Sequence, residues 1–223
     1  MSSIEELLEA AGVEQSLAAR LARFGTLVLE ANRRFNLTGA KDGSELVGHF
    51  LDSLSVAAYI REPYADVGSG AGFPAIPAGL ACGIAPTMIE SNAKKARFLE
   101  MALDRLELEG QVVAERAESA AHRPELRERF ASGTGRAVGS APTVAELLLP
   151  LIEPGGLAVL QRGTLPPDER RALEDAALML GANLEAELEL GDNGRLILLR
   201  KRGPTPARFP RRIGIPAKRP LCT

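Results

Sequence analysis

After Pro63, short apolar runs alternate with segments of helical periodicity, and this alternation restricts the fold more than any other feature of the chain. YADV (64–67), TMIE (87–90), QVVAE (111–115), LAVLQ (157–161) and RLILLR (195–200) have the length and aliphatic content of strands. Residues 74–82, 92–107, 142–150 and 167–180 lie between them with apolar positions at helical spacing. Strands joined by helices of this kind form right-handed βαβ units, so an open, mainly parallel sheet is expected. A fourth strand is also required, and FASGTGRAVGS (130–140) is where it should fall. Its Gly and Ser content speaks against strand formation.

The first 62 residues carry a different pattern. Ser2 or Ser3 with Glu5 or Glu6 fits a capping box, and Gly12 separates a short helix from a longer one within residues 3–35. In the longer helix Leu17, Leu21, Phe24, Val28 and Ala31 recur every three or four positions. NLTGAKDG (36–43) is a turn, because its Asn, Gly and Asp favour local hydrogen bonds over helix. A helix over 44–60 follows, with Leu46, Val47, Phe50, Leu54 and Ala57 on its apolar face. At the other end, RGPTPARFPRRIGIPAKRPLCT holds five prolines and should be extended rather than helical. The expected organisation is a helical segment (1–62) packed on the core, an α/β domain (63–202) and a basic extended tail (203–223).

The net charge of -2 hides an asymmetry. Nine of the 27 Lys and Arg lie in the last 29 residues, which contain no Asp or Glu. Such a tail is a solvated extension, a phosphate-binding segment, or a clamp folded back over the acidic body. The N-terminal MSSIEELLEA is acidic and polar, no apolar run approaches membrane-spanning length, and Cys82 and Cys222 match no metal or redox spacing. These features lead us to expect a cytoplasmic protein with no membrane partner and no metal, and nothing in them demands more than a monomer.

ADVGSGAGFPAIPAG (65–79) leaves the first strand with glycine at alternate positions: Gly68, Gly70 and Gly72. Ligands of open α/β sheets sit at the carboxyl ends of strands, and glycine lets the backbone approach them. The dinucleotide fingerprint needs its third glycine three positions after the second, and here Phe73 and Pro74 come instead. Alternate glycines preceded by an acidic residue, Asp66, fit S-adenosylmethionine, which has no pyrophosphate. A glycine-rich turn with no ligand is the alternative for the loop taken alone. Glu90, 18 residues beyond Gly72 at the end of the second strand, favours a ligand, because a carboxylate there can accept from both ribose hydroxyls. Ala117 and Glu118, after the third strand, fall at the adenine edge, where a backbone N–H or a carboxylate can read the base.

RFNLTG (34–39), HFLDS (49–53), DVGSGAGFPAIP (66–77) and FPRRIGIPAKRPL (209–221), in this order, resemble the RsmG (GidB) family, and the likeness covers nearly all 223 residues. Its members are bacterial methyltransferases acting on N7 of a guanine in the 530 loop of 16S ribosomal RNA. The resemblance implies a class I, Rossmann-like methyltransferase fold using S-adenosylmethionine, with 16S rRNA, the small ribosomal subunit or a precursor particle as partner. By matched positions, Gly68 and Phe73 are cofactor contacts in the loop, Glu90, Ser91 and Asn92 the ribose-side segment, Ala117 and Glu118 the adenine-side pair. Arg136 matches an arginine facing cofactor or RNA. The chain departs from the family at Gly48, where Arg is usual, at GTGRAVGS, and at Arg162-Gly163, where Lys-Gly is usual.

N7 of guanine has a lone pair and no proton to lose, so no general base is needed. Candidates for a catalytic role are Arg136, His49, Asp52 and Asn36. His49 either packs on its helix or serves the pocket. Asp52, three residues on, shares its face and can orient it. Asn36 shapes the turn or reaches the site. Arg162, Arg208, Arg211, Arg212, Lys218 and Arg219 are candidates for phosphate contacts, which confer affinity without sequence choice. Two rival functions remain: a methyltransferase for another substrate, and a non-catalytic RNA- or ribosome-binding protein.

Overall fold

The computed structural model describes residues 2–190 and 194–222, so the last residue of the tail segment 203–223 lies outside them. Three helices open the chain: α1 (Ile4–Ala10), α2 (Gln15–Asn32) and α3 (Gly43–Leu54). Ser3 and Glu6 form the capping box of α1. Then follow β1 (Tyr64–Val67), α4 (Ala75–Cys82), β2 (Pro86–Ile89), α5 (Ala93–Leu106), β3 (Gln111–Val113), α6 (Ala117–Ala120), β4 (Phe130–Arg136) and α7 (Ala141–Leu148). The rest is β5 (Ile152–Arg162), α8 (Pro167–Met179), β6 (Ala182–Leu190), β7 (Gly194–Lys201) and α9 (Ile215–Lys218). One seven-stranded sheet has the order β3-β2-β1-β4-β5-β7-β6. β1 to β5 run parallel, and β7 is antiparallel to both β5 and β6.

The buried apolar strand residues divide between two cores. Tyr64, Met88, Val159 and Leu198 face the layer containing α2, α3, α4 and α5, whereas Ala65, Ile89, Ala158 and Leu199 face α7 and α8. The N-terminal helices are part of the first layer: Phe24 of α2, Phe50 of α3 and Phe73 after the glycine loop pack with ring centroids 5.4–6.0 Å apart. Offset and tilted rings at such distances add to the burial of their area.

FASGTGR is a strand after all, at the centre of the sheet, and its glycines are the reason it fits. A Cβ on Gly135 would lie 2.5 Å from Val144 Cγ1, and one on Gly133 would lie 2.8 Å from Leu148 Cδ1. Both neighbours belong to α7, so glycine lets this helix seat directly on β4. β6 escaped the strand reading, although Leu184, Ala186, Leu188 and Leu190 alternate with glutamates, a half-buried edge pattern. The helix expected over 44–60 stops at Leu54 and gives way to a single 3-10 turn at Ala57–Tyr59.

The tail differs most from the expectation of a plain extended segment. It contains the one-turn α9 and is tied to the body by buried polar groups. Lys201, fully buried at the end of β7, donates from Nζ to Leu149 O (2.8 Å), Ile152 O (3.1 Å) and Thr205 Oγ1 (2.7 Å). Arg127 donates to the carbonyls of Phe209 (2.9 Å) and Thr205 (2.8 Å). Glu146 of α7, with no exposure, accepts from Arg211 Nη2 (2.6 Å), Nε (2.8 Å) and backbone N (2.8 Å). Thr143 Oγ1 donates to Pro216 O (3.0 Å). The tail is thus folded back over the body as a clamp, and Arg208, Arg212, Lys218 and Arg219 remain on its exposed side.

Two expectations follow. Gly135→Ala should lower stability by about 1–3 kcal/mol in denaturant titration, because α7 must move off the sheet. Arg211→Met should lower it by about 3–5 kcal/mol, because it strands the buried Glu146 carboxylate. The tail should then become protease-sensitive before the body does.

Candidate functional site

The strand order reverses between β1 and β4, and the crevice at that switch point is where open α/β sheets bind ligands. Gly68, Gly70 and Gly72 all have positive φ, at 69°, 57° and 93°. At Gly68 a Cβ would come within 2.6 Å of Val138 Cγ2, so the loop after β1 and the segment after β4 meet only because this residue has no side chain. Glu90 holds the loop from the other side. Its Oε2 accepts from Gly70 N (2.9 Å) and its Oε1 from Asn92 N (2.7 Å), while the carboxylate is 8% exposed. Each oxygen keeps a further lone pair for a hydroxyl donor.

A small pocket at this crevice is lined by Gly68, Glu90, Ser91, Ala117 and Glu118, together with Ala217 from the tail. Five of the sequence-derived cofactor candidates thus converge. Others take different places. Asn92 caps α5, its Oδ1 accepting from Lys94 N (3.0 Å) and Lys95 N (3.2 Å). The Phe73 ring sits in the aromatic cluster with Phe24 and Phe50. Glu118 Oε1 accepts from Gly214 N (2.9 Å), which joins α6 to the tail beside the pocket.

Asp66 is buried at the end of β1, 1% exposed. Tyr64 OH lies 2.5 Å from Thr134 Oγ1, which in turn donates to Asp66 Oδ1 (2.6 Å). Among the described residues Asp66 Oδ2 has no partner. Burial pushes this carboxyl up to about 7, against the lowering effects of the Thr134 hydrogen bond and the Arg136 charge.

A larger cleft of about 790 Å³ lies on the other side of the 137–139 segment, between α3, β4 and β5. Asp52, Arg136 and Arg162 line it. Arg136 Nη2 donates to His49 Nδ1 (2.6 Å), and the Arg136 guanidinium and the His49 ring both stack toward Phe73, with centroid distances of 5.9 and 5.6 Å. Burial and the Arg136 charge hold His49 below the usual imidazole range, so the ring is a neutral acceptor at Nδ1. Asp52, on the exposed side of the same helix, adds an opposing charge. Asn36 lines neither pocket and is exposed in the turn after α2. Asn32 shapes that turn instead, its Oδ1 accepting from Leu37 N (2.9 Å) and Thr38 N (3.0 Å).

Of the candidate phosphate-binding residues, Arg212, Lys218 and Arg219 are exposed. Arg208 lies over the Phe209 ring at 5.1 Å, Arg211 is engaged by Glu146, and Arg162 pairs with Glu169 (2.9 Å) at the cleft wall. Sequence reasoning missed Val138, Thr143, Glu146 and Gln161. Their partners lie on distant segments, and no local pattern marks them. Among the described residues no helix is long and apolar enough to cross a membrane.

Solved structures with the same fold include geranyl diphosphate C-methyltransferase from Streptomyces coelicolor A3(2), in complex with Mg2+, geranyl diphosphate and S-adenosyl-L-homocysteine. It is 9% identical, with a TM-score of 0.55 over 68% of this chain and 78% of that one. TYW2 of P. horikoshii, in complex with MeSAdo, is 12% identical, with a TM-score of 0.54 over 69% of this chain and 61% of that one. Sequence relatives are closer. The ribosomal RNA small subunit methyltransferase G of Deinococcus deserti is 38% identical over 99% of this chain and 94% of its own length. The protein of the same name from Rubrobacter xylanophilus is 41% identical over 87% of this chain and 80% of its own length. The family model for rRNA small subunit methyltransferase G (GidB) matches residues 17–198, and this α/β chain belongs to that family of methyltransferases.

Proposed function

We propose that this protein, a methyltransferase of the G family, transfers the methyl group of S-adenosylmethionine to N7 of a guanine in the 530 loop of 16S rRNA. The observation that carries the cofactor half is the pocket at the switch point, where Gly68, Glu90, Ser91 and Ala117 converge, with buried Asp66 Oδ2 beneath the loop left without a partner among the described residues. These residues fit the cofactor. Gly68 and Gly70 would give its methionine end room, Asp66 a carboxylate for its ammonium group, Glu90 two oxygens for the ribose, and Ala117 with Ser91 the wall beside the adenine. S-adenosylmethionine held there would supply an activated sulfonium methyl group to the base.

The chain's own residues then have a limited task. No proton leaves N7, so neutral His49 serves as an anchor for Arg136 rather than as a base. Alignment of the acceptor in the cleft beside the loop is the main contribution, and such positioning can be worth roughly 7 kcal/mol or more. Arg208, Arg212, Lys218 and Arg219, exposed on the tail, together with Arg162 at the cleft wall, supply the phosphate contacts. We read the working unit as a monomer acting in the cytoplasm on the small subunit or a precursor of it.

Small subunits and naked 16S RNA lacking the modification, offered with radiolabelled S-adenosylmethionine, should become labelled at N7 of one guanine in one of the two forms. Cofactor binding by calorimetry without any label would sink the ribosomal target. Asp66 provides a second test. Arrival of a cation beside it lowers its pKa from about 7, so binding should release about half a proton at pH 7. Affinity should therefore rise with pH up to about 7 and level off above it. Calorimetry in buffers of different ionisation enthalpy measures the release, and Asp66→Asn should abolish it.

A further inference from the structure

Four buried side-chain polar atoms lack a partner among the described residues: Asp66 Oδ2, Arg136 Nη1, Gln161 Oε1 and Arg162 Nε. The last three belong to residues that line the 790 Å³ cleft. Buried donors and acceptors are almost always paired in folded proteins, so three orphans around one cleft mark the place of a polar ligand. Arg136 and Gln161 occupy paired positions on β4 and β5, which puts a free donor and a free acceptor side by side on neighbouring strands. Gln161 is 6% exposed, and its Nε2 donates to Asp52 O (2.6 Å), which turns the amide so that Oε1 keeps its lone pairs. The Asp52 carboxylate borders the same cleft, and Leu51 and Leu160 supply apolar wall.

Guanine has the complementary edge. Its O6 accepts, while the adjacent N1–H and N2 amino group donate. Adenine reverses the first two, presenting an amino donor to an arginine and a bare N1 to an acceptor. Arginine usually reads guanine through O6 and N7 together, a pairing that would block methylation at N7. Here Nη2 of Arg136 is engaged by His49 and Nη1 is the nitrogen without a partner, so a single contact from Nη1 to O6 leaves N7 open.

We propose that the cleft holds a single guanine base by its Watson–Crick edge, with Arg136 donating to O6, Gln161 accepting from N1–H and Asp52 accepting from the N2 amino group, so that N7 stays free. This rests on the N7-methyltransferase reading and adds to it which residues choose the base. His49 is then a positioning residue, acting through Arg136.

Inosine lacks the N2 amino group and keeps O6 and N1–H, so it isolates the Asp52 contact. Small subunits reconstituted with guanine or inosine at the target would be offered to the wild type, Asp52→Ala and Gln161→Leu. The wild type should prefer guanine by about tenfold to a hundredfold in kcat/KM. Asp52→Ala, which has no side-chain acceptor, should bring the two substrates to within a few fold of each other, with S-adenosylmethionine Kd unchanged. Gln161→Leu should slow both substrates alike and keep the wild-type ratio. A wild-type ratio retained by Asp52→Ala, or equal loss of cofactor binding in that variant, overturns the assignment while leaving the methyltransferase reading intact. Failure of the wild type to methylate guanine at all overturns both.

Discussion

The seating of α7 on β4 is the contact on which the rest of the molecule depends. Gly133 and Gly135 present bare backbone at the centre of the sheet, and Val144 and Leu148 of α7 occupy the space that side chains would take. That depth places Glu146 and Thr143 where they reach the tail, one through Arg211 and the other through Pro216. The tail so held contributes Ala217 to the wall of the small pocket. The same helix begins just after the segment that separates that pocket from the larger cleft. Small residues in one strand thus set the geometry of a helix, a tail and two pockets.

Buried charge is distributed on the same plan. Lys201, Glu146 and Arg127 serve the tail, and each is met by several partners, as a group removed from water must be. Asp66 is buried and Arg136 half-buried at the crevice, and each keeps one polar atom without a partner among the described residues. The groups that hold the tail are satisfied within the chain, whereas these two are not.

The small pocket with Gly68 and Glu90 lies to one side of the 137–139 segment, and the cleft lined by Asp52 and Arg136 to the other. In the proposed methylation of N7, a donor and an acceptor held in these adjoining spaces need only be aligned, because no proton is lost. A neutral histidine tethering an arginine suits that proposal.

Much of this was legible in the sequence because it is local. Alternating apolar runs specify strands and helices through their spacing, the capping box of α1 spans three residues, and alternate glycines after β1 announce a backbone that must approach something. The family motifs were equally local. The fourth strand was placed at FASGTGR by topology and not by its residues, whose glycines serve the seating of α7, and the course of the tail was not legible. Arg211 looked like a free cation because its partner, Glu146, is 65 residues away. Glu118 and Phe73 likewise turned to partners brought near by the fold. The sequence by itself determined most of the elements, their order and the glycine loop, since these follow from steric and hydrophobic preferences of neighbouring residues. Only the tertiary structure decided which charges are satisfied internally and which stay open at the crevice, because pairing of buried groups depends on which distant segments the core brings into contact.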